Sequence, residues 1–449
     1  MKIPVVWTSV LFERIGFAEE ARETILALDR AGIPVLANPV AWTPWQRSPG
    51  CAEERRLEEL IALRLPDRFI HVMHTTPTDF ARHPRAARHI GRCMSELETY
   101  PAAWAAACSE LDEIWVPGGF STQALVRAGV PREAIHVVPE GVRIELYDPP
   151  PPALSPAGFD GFVFLSVLGW GLRKGWDVLV RAYLEEFRPD EDVTLVLKIA
   201  PFDRRLLARL EAFMGDELGL APEDRARVVA LDVELTSDEM PGLYRAADAF
   251  VLASRGEGWG RPYMEAMAAG LPTIGSRWGG NLAFMDDANA YLIDCEVVDV
   301  PEAAWREVPP YRGGRWAEPS VEHLRALMRR VFAERGEAAE RARRGRETIL
   351  ASFTARHVAH AVAGRLEQID FGPAVGTVPR PQAAAGYVAA ASSFLEGAQP
   401  GRAARFARAA LELDPSSRQA RETLAEALDV LGLARAAERA RAGDAVPTC

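Results

Sequence analysis

The chain has 449 residues, 48% of them hydrophobic and 26% charged, and its 52 basic and 63 acidic side chains leave a net charge of −11. At roughly 100–200 residues per domain this length allows about two to four domains, and the composition excludes a disordered or collagen-like chain. The negative balance argues against a broad grip on nucleic acid or anionic lipid, which needs a basic footprint, but leaves room for a cationic pocket around one small anion.

The N-terminal run Ile3 to Phe12 is apolar, ends at Glu13 and Arg14, and is followed by no small-residue cleavage site, so it reads as a strand rather than a signal peptide. Ala18 to Ala31 has helical spacing, Gly32 breaks it, and Pro34 to Pro39 is a second strand. Arg68 to Met73, Glu113 to Val116 and Ala134 to Val138 are further strands, with helices at Ala102 to Leu111 and Ser121 to Ala128. Arg82, Arg85, Arg88 and Arg92 read as a solvated helix face. The Pro-rich stretch Tyr147 to Gly158 marks a linker. Alternation then restarts with a strand at Phe162 to Val167, a helix at Trp176 to Phe187, and strands at Val193 to Ile199, Val228 to Leu231, Ala249 to Leu252 and Pro272 to Gly275. Such alternation predicts parallel sheets covered on both faces.

From Ser320 to about Ile369 the chain reads as helical and Arg-rich, with Glu interleaved at i,i+4 spacing, the pattern of a solvated helix face. Phe371 to Ala385 reads as a second linker. Tyr387 to Gly397, Gly401 to Leu413 and Ser417 to Gly432 read as amphipathic helices, broken at Asp414-Pro415, with small residues inward. No apolar run reaches the ~18 residues of a membrane span. The five cysteines (Cys51, Cys93, Cys108, Cys295, Cys449) form no C-x-x-C pair, which predicts free thiols in a cytosolic protein rather than a disulfide framework or zinc site.

The chemistry concentrates in Ala249 to Gly280, "AFVLASRGEGWGRPYMEAMAAGLPTIGSRWGG". It reads as a buried strand, a Gly-rich loop, a helix opened by Pro262 and closed by Gly270, and another strand. In open α/β sheets ligands bind at the carboxyl ends of strands, where this loop lies. Gly256, Gly258 and Gly260 let backbone N–H groups approach a ligand, and the helix behind them favours phosphate. Glu257 and Glu265 are acceptor-only groups suited to sugar or ribose hydroxyls. Upstream, Gly169-Trp170-Gly171 leads to Arg173 and Lys174, two cations at a loop-to-helix turn, as neutralising a diphosphate leaving group requires. His71 and His74 lie three apart on a strand, hence on opposite faces, which argues against a shared metal site. Asp190-Glu191-Asp192 precedes a strand and reads as a solvated turn. Among the tryptophans of the first half, Trp7, Trp104 and Trp115 read as core, and Trp42 and Trp45 as loop residues open to sugar stacking.

The Glu257/Glu265 spacing within "GEGWG" and "EAMAAGLP" resembles the E-x7-E signature of retaining GT-B glycosyltransferases, glycosyltransferase family 4. About 370 residues follow that family in order, including "RIGFAEEARETILAL", "IGRCMSELETYPAAW" and "LTSDEMPGLYRAADAF". The resemblance implies an α/β fold of two Rossmann-like domains facing a cleft; it does not cover the tail, a short α-helical C-terminal appendage whose spacing and "ALELDP" resemble one and a half tetratricopeptide repeats. On that basis residues 1–150 form an acceptor domain, 151–370 a nucleotide-sugar donor domain with a crossover helix, 371–385 a linker and 386–449 the appendage. It implies that Glu257 bonds the donor sugar, that Glu265 bonds the ribose, and that the backbone of Gly258, Trp259 and Gly260 lies against sugar and diphosphate. Lys174-Gly175 matches the family's phosphate-binding Lys-Gly pair, and Arg173 substitutes for an Arg the family carries at the position of Gly169. Gly16 would lie near the donor phosphates, and Glu96 would contact donor or acceptor. Glu140 stands where relatives often carry His. Glu257, Lys174, Arg173 and Glu96 are thus the expected catalytic set, with no metal and no cofactor beyond a nucleotide-diphosphate sugar as co-substrate. The expected acceptor is a carbohydrate, lipid-linked or protein group. A cytoplasmic place is expected, with peripheral membrane attachment open, and the C-terminal helices would take a protein partner or a second copy. Two other readings stay open: a sugar-phosphate synthase using Arg82, Arg85, Arg88 and Arg92 on a phosphorylated acceptor, and a non-catalytic scaffold.

Overall fold

The computed structural model describes residues 3–40, 52–83, 85–154, 158–199, 204–231, 233, 235–369, 388, 391–392, 395, 400–431 and 434–443. Trp42, Trp45, the linker expected at 371–385 and most of the helix expected at 387–397 lie outside them.

The first half runs β1 (Val5–Val10), α1 (Gly16–Arg30), β2 (Val35–Val40), α2 (Ala52–Ile61), β3 (Phe69–His74), β4 (Ala86–Arg92), α3 (Ala102–Ser109), β5 (Glu113–Val116), α4 (Gly119–Arg127) and β6 (Ile135–Val137). Its sheet has the order β2-β1-β3-β4-β5-β6. β1 and β3 are buried at every position, as strands covered on both faces must be, and they pair in parallel with Val5 opposite Ile70.

Of the arginines expected on a helix face, Arg88 and Arg92 lie instead on a strand, β4, parallel to β3 with Val72 opposite Ile90, and Arg82 and Arg85 precede it. The helical spacing of these arginines is overridden by tertiary partners. Arg82 donates to the Glu110 carbonyl at 2.8 Å, Arg85 to the Pro66 carbonyl at 2.7 Å, and buried Arg92 pairs with buried Glu20. A buried guanidinium needs such a partner, and the strand register supplies it.

The second half runs β7 (Phe162–Leu168), α5 (Trp176–Glu186), β8 (Val193–Ile199), α6 (Arg204–Ala212), β9 (Arg227–Leu231), α7 (Met240–Arg245), β10 (Ala249–Leu252), α8 (Arg261–Ala269), β11 (Thr273–Ser276), β12 (Tyr291–Ile293), β13 (Cys295–Asp299), α9 (Glu302–Glu307), β14 (Arg315–Pro319), α10 (Val321–Ala333), α11 (Arg335–Ser352) and α12 (Ala355–Gln368). Its parallel sheet has the order β12-β11-β10-β7-β8-β9. Phe164, Leu165, Leu179, Tyr183, Leu195, Phe250, Tyr263 and Met264 form part of its core. β10 and β11 pair with Phe250 opposite Thr273, so strand, Gly-rich loop, helix and strand form the expected parallel crossover.

The helical stretch expected from Ser320 is three helices, α10 to α12. Ser320 caps the first, accepting from the His323 N–H at 3.1 Å. Arg341–Glu337 at 2.9 Å and Arg344–Glu340 at 3.0 Å are i,i+4 pairs on α11. The antiparallel ribbon β13–β14, which carries α9 between its strands, has no counterpart in the sequence reading.

The chain divides into two compact units. One comprises Met1–Cys93, Ala107–Trp115 and Ala359–Cys449; the other comprises Met94–Ala106 and Val116–Val358. The tail belongs to the first, as the helices Pro400–Leu413, Arg418–Val430 and Ala434–Ala442. They pack through small residues such as Ala403, Ala407, Ala425 and Ala437, with Leu424 and Leu428. Among the described residues no helix is long and apolar enough to cross a membrane.

Candidate functional site

Two loops at the carboxyl ends of neighbouring strands build the site within the second unit. β7 leads to the single 3-10 turn Leu172–Lys174, and β10 leads to Ser254–Gly260. Gly175 lets them meet. Its φ is +61°, and a Cβ there would come 1.8 Å from the Ala253 carbonyl oxygen. The Arg255 N–H then donates to the Arg173 carbonyl at 2.7 Å. A third segment joins at Gly256, where a Cβ would lie 2.2 Å from the Glu96 carbonyl oxygen. Three stretches remote in sequence therefore converge on one point.

Four expected residues come together there. Lys174 Nζ donates to Glu257 Oε1 at 2.6 Å, and Arg173 Nη1 reaches the same oxygen at 3.2 Å. The Ser254 hydroxyl lies 2.8 Å from it. Arg173 Nη2 pairs with Glu96 Oε1 at 2.9 Å, and Arg173 also donates to the Gly256 carbonyl. Burial works to raise the Glu257 carboxyl, but Lys174 and Arg173 outweigh it and hold the group below the usual carboxylate range. Burial pulls the Lys174 ammonium below its ordinary value, against the opposing pull of Glu257. Burial opposes the charge on Arg173 too, yet Glu96 and Glu257 hold its guanidinium above its ordinary value.

Glu265 belongs to a second group. Tyr244 donates to its Oε2 at 2.9 Å, and Arg261 Nε lies 3.5 Å from its Oε1. Arg261 also lies 3.5 Å from Glu140 Oε2, which places the residue standing in for the relatives' His beside this group. Burial, then Glu265, pushes the Tyr244 phenol well above its ordinary value. Gly258 sits against Met94, and Gly260 ends the loop with φ +95° at the start of α8. The Trp259 ring is turned into the core against Phe284 and Phe353, leaving its backbone as the part that lies in the loop. Gly16 is the first residue of α1, in the other unit.

Two residues escaped the sequence reading. Arg255 is 7% exposed and grips Asp177 through both carboxylate oxygens at 2.8 Å, Glu318 at 2.6 and 2.7 Å, and the Leu172 carbonyl at 2.6 Å. It clamps the loop carrying Glu257 to the turn carrying Arg173 and Lys174, and an Arg directly after a buried strand was the signal available. Tyr311 donates its hydroxyl to Glu96 Oε2 from a position 215 residues away on the β13–β14 insertion. No local pattern announces it.

His71 and His74 serve the first unit. His71 Nε2 lies 2.8 Å from the Thr8 hydroxyl, and His74 Nε2 lies 3.1 Å from Glu20. Among the described residues no three His, Cys, Asp or Glu side chains are grouped to hold a metal. Cys93 and Cys108, which have no motif spacing, come within 3.9 Å as buried free thiols. Trp7 and Trp115 are core, as expected, and Glu191 of the acidic turn pairs with Arg329 at 2.6 Å.

Residues 160–305, which include Lys174, Arg173, Glu257 and Glu265, match the family model described as Glycosyl transferases group 1. The chain is similar to mannosylfructose-phosphate synthase of Agrobacterium fabrum, 31% identical over 159 residues, covering 34% of each chain. It is also similar to D-inositol 3-phosphate glycosyltransferase of Xylanimonas cellulosilytica, 30% identical over 244 residues, or 50% of this chain and 54% of that one. The match thus spans about a third and about half of those relatives' own lengths. Among solved structures, Anabaena Alr3699/HepE in complex with UDP and glucose superposes with a TM-score of 0.57 at 14% identity, over 82% of this chain and all of that one. With its two parallel six-stranded sheets, the chain has the GT-B fold of two Rossmann-like domains and carries a glycosyl transferases group 1 domain at residues 160–305.

Proposed function

We propose that the chain is a retaining, metal-independent glycosyltransferase of the family 4 type that takes its sugar from a nucleotide-diphosphate sugar. The observation that carries this reading is the meeting of Lys174, Arg173 and Glu257 at the carboxyl ends of β7 and β10, inside the matched segment. Lys174 and Arg173 neutralise the departing diphosphate, the charge that develops at the transition state. Glu257, held from one side at Oε1, orients the sugar so that the acceptor oxygen attacks from the leaving-group face. Glu265 takes the ribose, and the backbone of Gly258 to Gly260 lies along sugar and diphosphate.

UDP-sugars are the first donors to try, because Alr3699/HepE was solved with UDP and glucose. A phosphorylated acceptor is the second reading, favoured by two relatives named for sugar-phosphate and inositol-phosphate chemistry. On that reading Arg82, Arg85 and Arg92, already bonded within their own unit, would have to trade or share those contacts with the phosphate. Phosphorylated against plain acceptors separates the two. The tail, tetratricopeptide-like in its small inward residues, would dock a protein partner or a second copy in the cytoplasm.

A thermal-shift panel of UDP-, GDP-, ADP- and dTDP-sugars tests the donor assignment. A ligand at 100 times its Kd adds roughly 2.7 kcal/mol to stability, so the right donor gives a clear rise in Tm. A flat panel would favour the scaffold reading.

A further inference from the structure

The site's cations are already satisfied. Arg173 and Lys174 face two carboxylates, Glu257 and Glu96, so the cluster is neutral before any ligand arrives. A nucleoside diphosphate brings further negative charge, and one carboxylate has to yield its cation. The two are not equivalent. Glu257 is buried, and its Oε1 takes Lys174, Arg173 and the Ser254 hydroxyl at once. The Glu96 side chain is 27% exposed and divides its oxygens, Oε1 to Arg173 and Oε2 to Tyr311. Only the first of those contacts competes with phosphate.

We propose that Glu96 stands in for the ligand's phosphate on Arg173, and that a nucleoside diphosphate displaces it onto Tyr311 alone. The proposal rests on the donor reading above. Tyr311 is suited to this because its ring is anchored in the cluster of Leu97, Val300, Ala304 and Trp316. Burial, and then Glu96, holds its phenol well above the ordinary value, so it stays a donor. Without that hydroxyl the displaced carboxylate, only partly open to solvent, would lose its remaining partner among the described residues, which is costly. Arg255 pins both loops, so the exchange needs rotation of side chains and no loop movement. Tyr311 is then a positioning residue that sets donor affinity through Glu96.

The test is calorimetric titration of UDP, GDP, ADP and inorganic pyrophosphate into the full chain and into Glu96→Gln, Tyr311→Phe and the double variant. Glu96→Gln should tighten the ligand that binds by about fivefold, the scale of one partly exposed ion pair. Tyr311→Phe should loosen it by about threefold, a fraction of a hydrogen bond to a charged group, because the hydroxyl also holds Glu96 in the free protein and only the difference between the two states counts. The double variant should bind like Glu96→Gln, because without the carboxylate the hydroxyl has nothing to hold. A Glu96→Gln protein that binds no tighter than wild type, or a double variant as weak as Tyr311→Phe, would overturn the exchange while leaving the donor reading intact. Should none of the four ligands bind wild type, both fall. If Tyr311→Phe fails to fold, the sign of the Glu96→Gln effect decides alone.

Discussion

Glu257 and Glu20 are both buried carboxylates, and their surroundings give them different work. Glu257 is met by two cations from a loop that also faces solvent, with the Lys174 side chain 16% and that of Arg173 21% exposed. Lys174→Ala should weaken diphosphate binding by about 10- to 100-fold, the range for one charge-assisted hydrogen bond, measured as the Kd of the bound nucleotide. Unchanged affinity would remove Lys174 from the site. Glu20 is closed in among Arg92 and His74. Burial works to raise its carboxyl, but Arg92 and then His74 hold it at about 2, below the ordinary 4.5. A depressed carboxyl stabilises the fold above its unfolded value, and that contribution is lost as pH falls from 4.5 toward 2. Urea unfolding of wild type should therefore show a steep loss across that window. Glu20→Gln should be less stable at pH 7 and lose less on acidification; parallel curves would show that the carboxylate carries no linkage. The residues that local pattern made legible are those set in a motif that announces itself, even where their partners lie far off, as Lys174 does from Glu257. Glu257 and Lys174 lie in loop-to-helix segments, and Glu265 in the helix behind one of them, that the glycines and prolines announce, whereas nothing local marks Tyr311 or the clamping role of Arg255.

At the scale of elements, the parallel strands were readable because their buried runs are continuous, as in Phe162–Leu168 and Ala249–Leu252. β4 was not, because its sequence, AARHIGR, is neither a continuous apolar run nor a clean alternation, and its arginines mimic helix spacing. The β13–β14 ribbon was invisible for a related reason: β13 is only partly buried and carries charge, so its strand character comes from pairing rather than from burial. The two loops of the candidate site depend on a glycine for their approach. Gly175→Ala would add a Cβ 1.8 Å from the Ala253 carbonyl oxygen at a φ of +61°. The expected loss is about 2 kcal/mol or more in urea unfolding, from strain and overpacking together, and donor affinity should fall with it as the loops separate. A variant with wild-type stability would show that the loops approach less closely than described.

Taken whole, the molecule combines an acidic chain of net charge −11 with a local cluster in which Arg173 and Lys174 meet at Glu257. The fold class followed from alternation along the chain, because strand–helix order dictates parallel sheets whatever the side chains at the site. The grouping into units did not, since Met94–Ala106, which carries Glu96, belongs with the later sequence. Placing Glu96 beside Arg173 required the three-dimensional chain. On the proposed reading Glu257, fixed by Lys174 and Arg173, is the group on which sugar transfer depends. Turnover of Glu257→Ala on the donor that stabilises wild type measures this most directly. A fall in kcat of roughly 10²–10³, the scale of losing one preorganised polar contact, is predicted. Turnover within a few fold of wild type would contradict it.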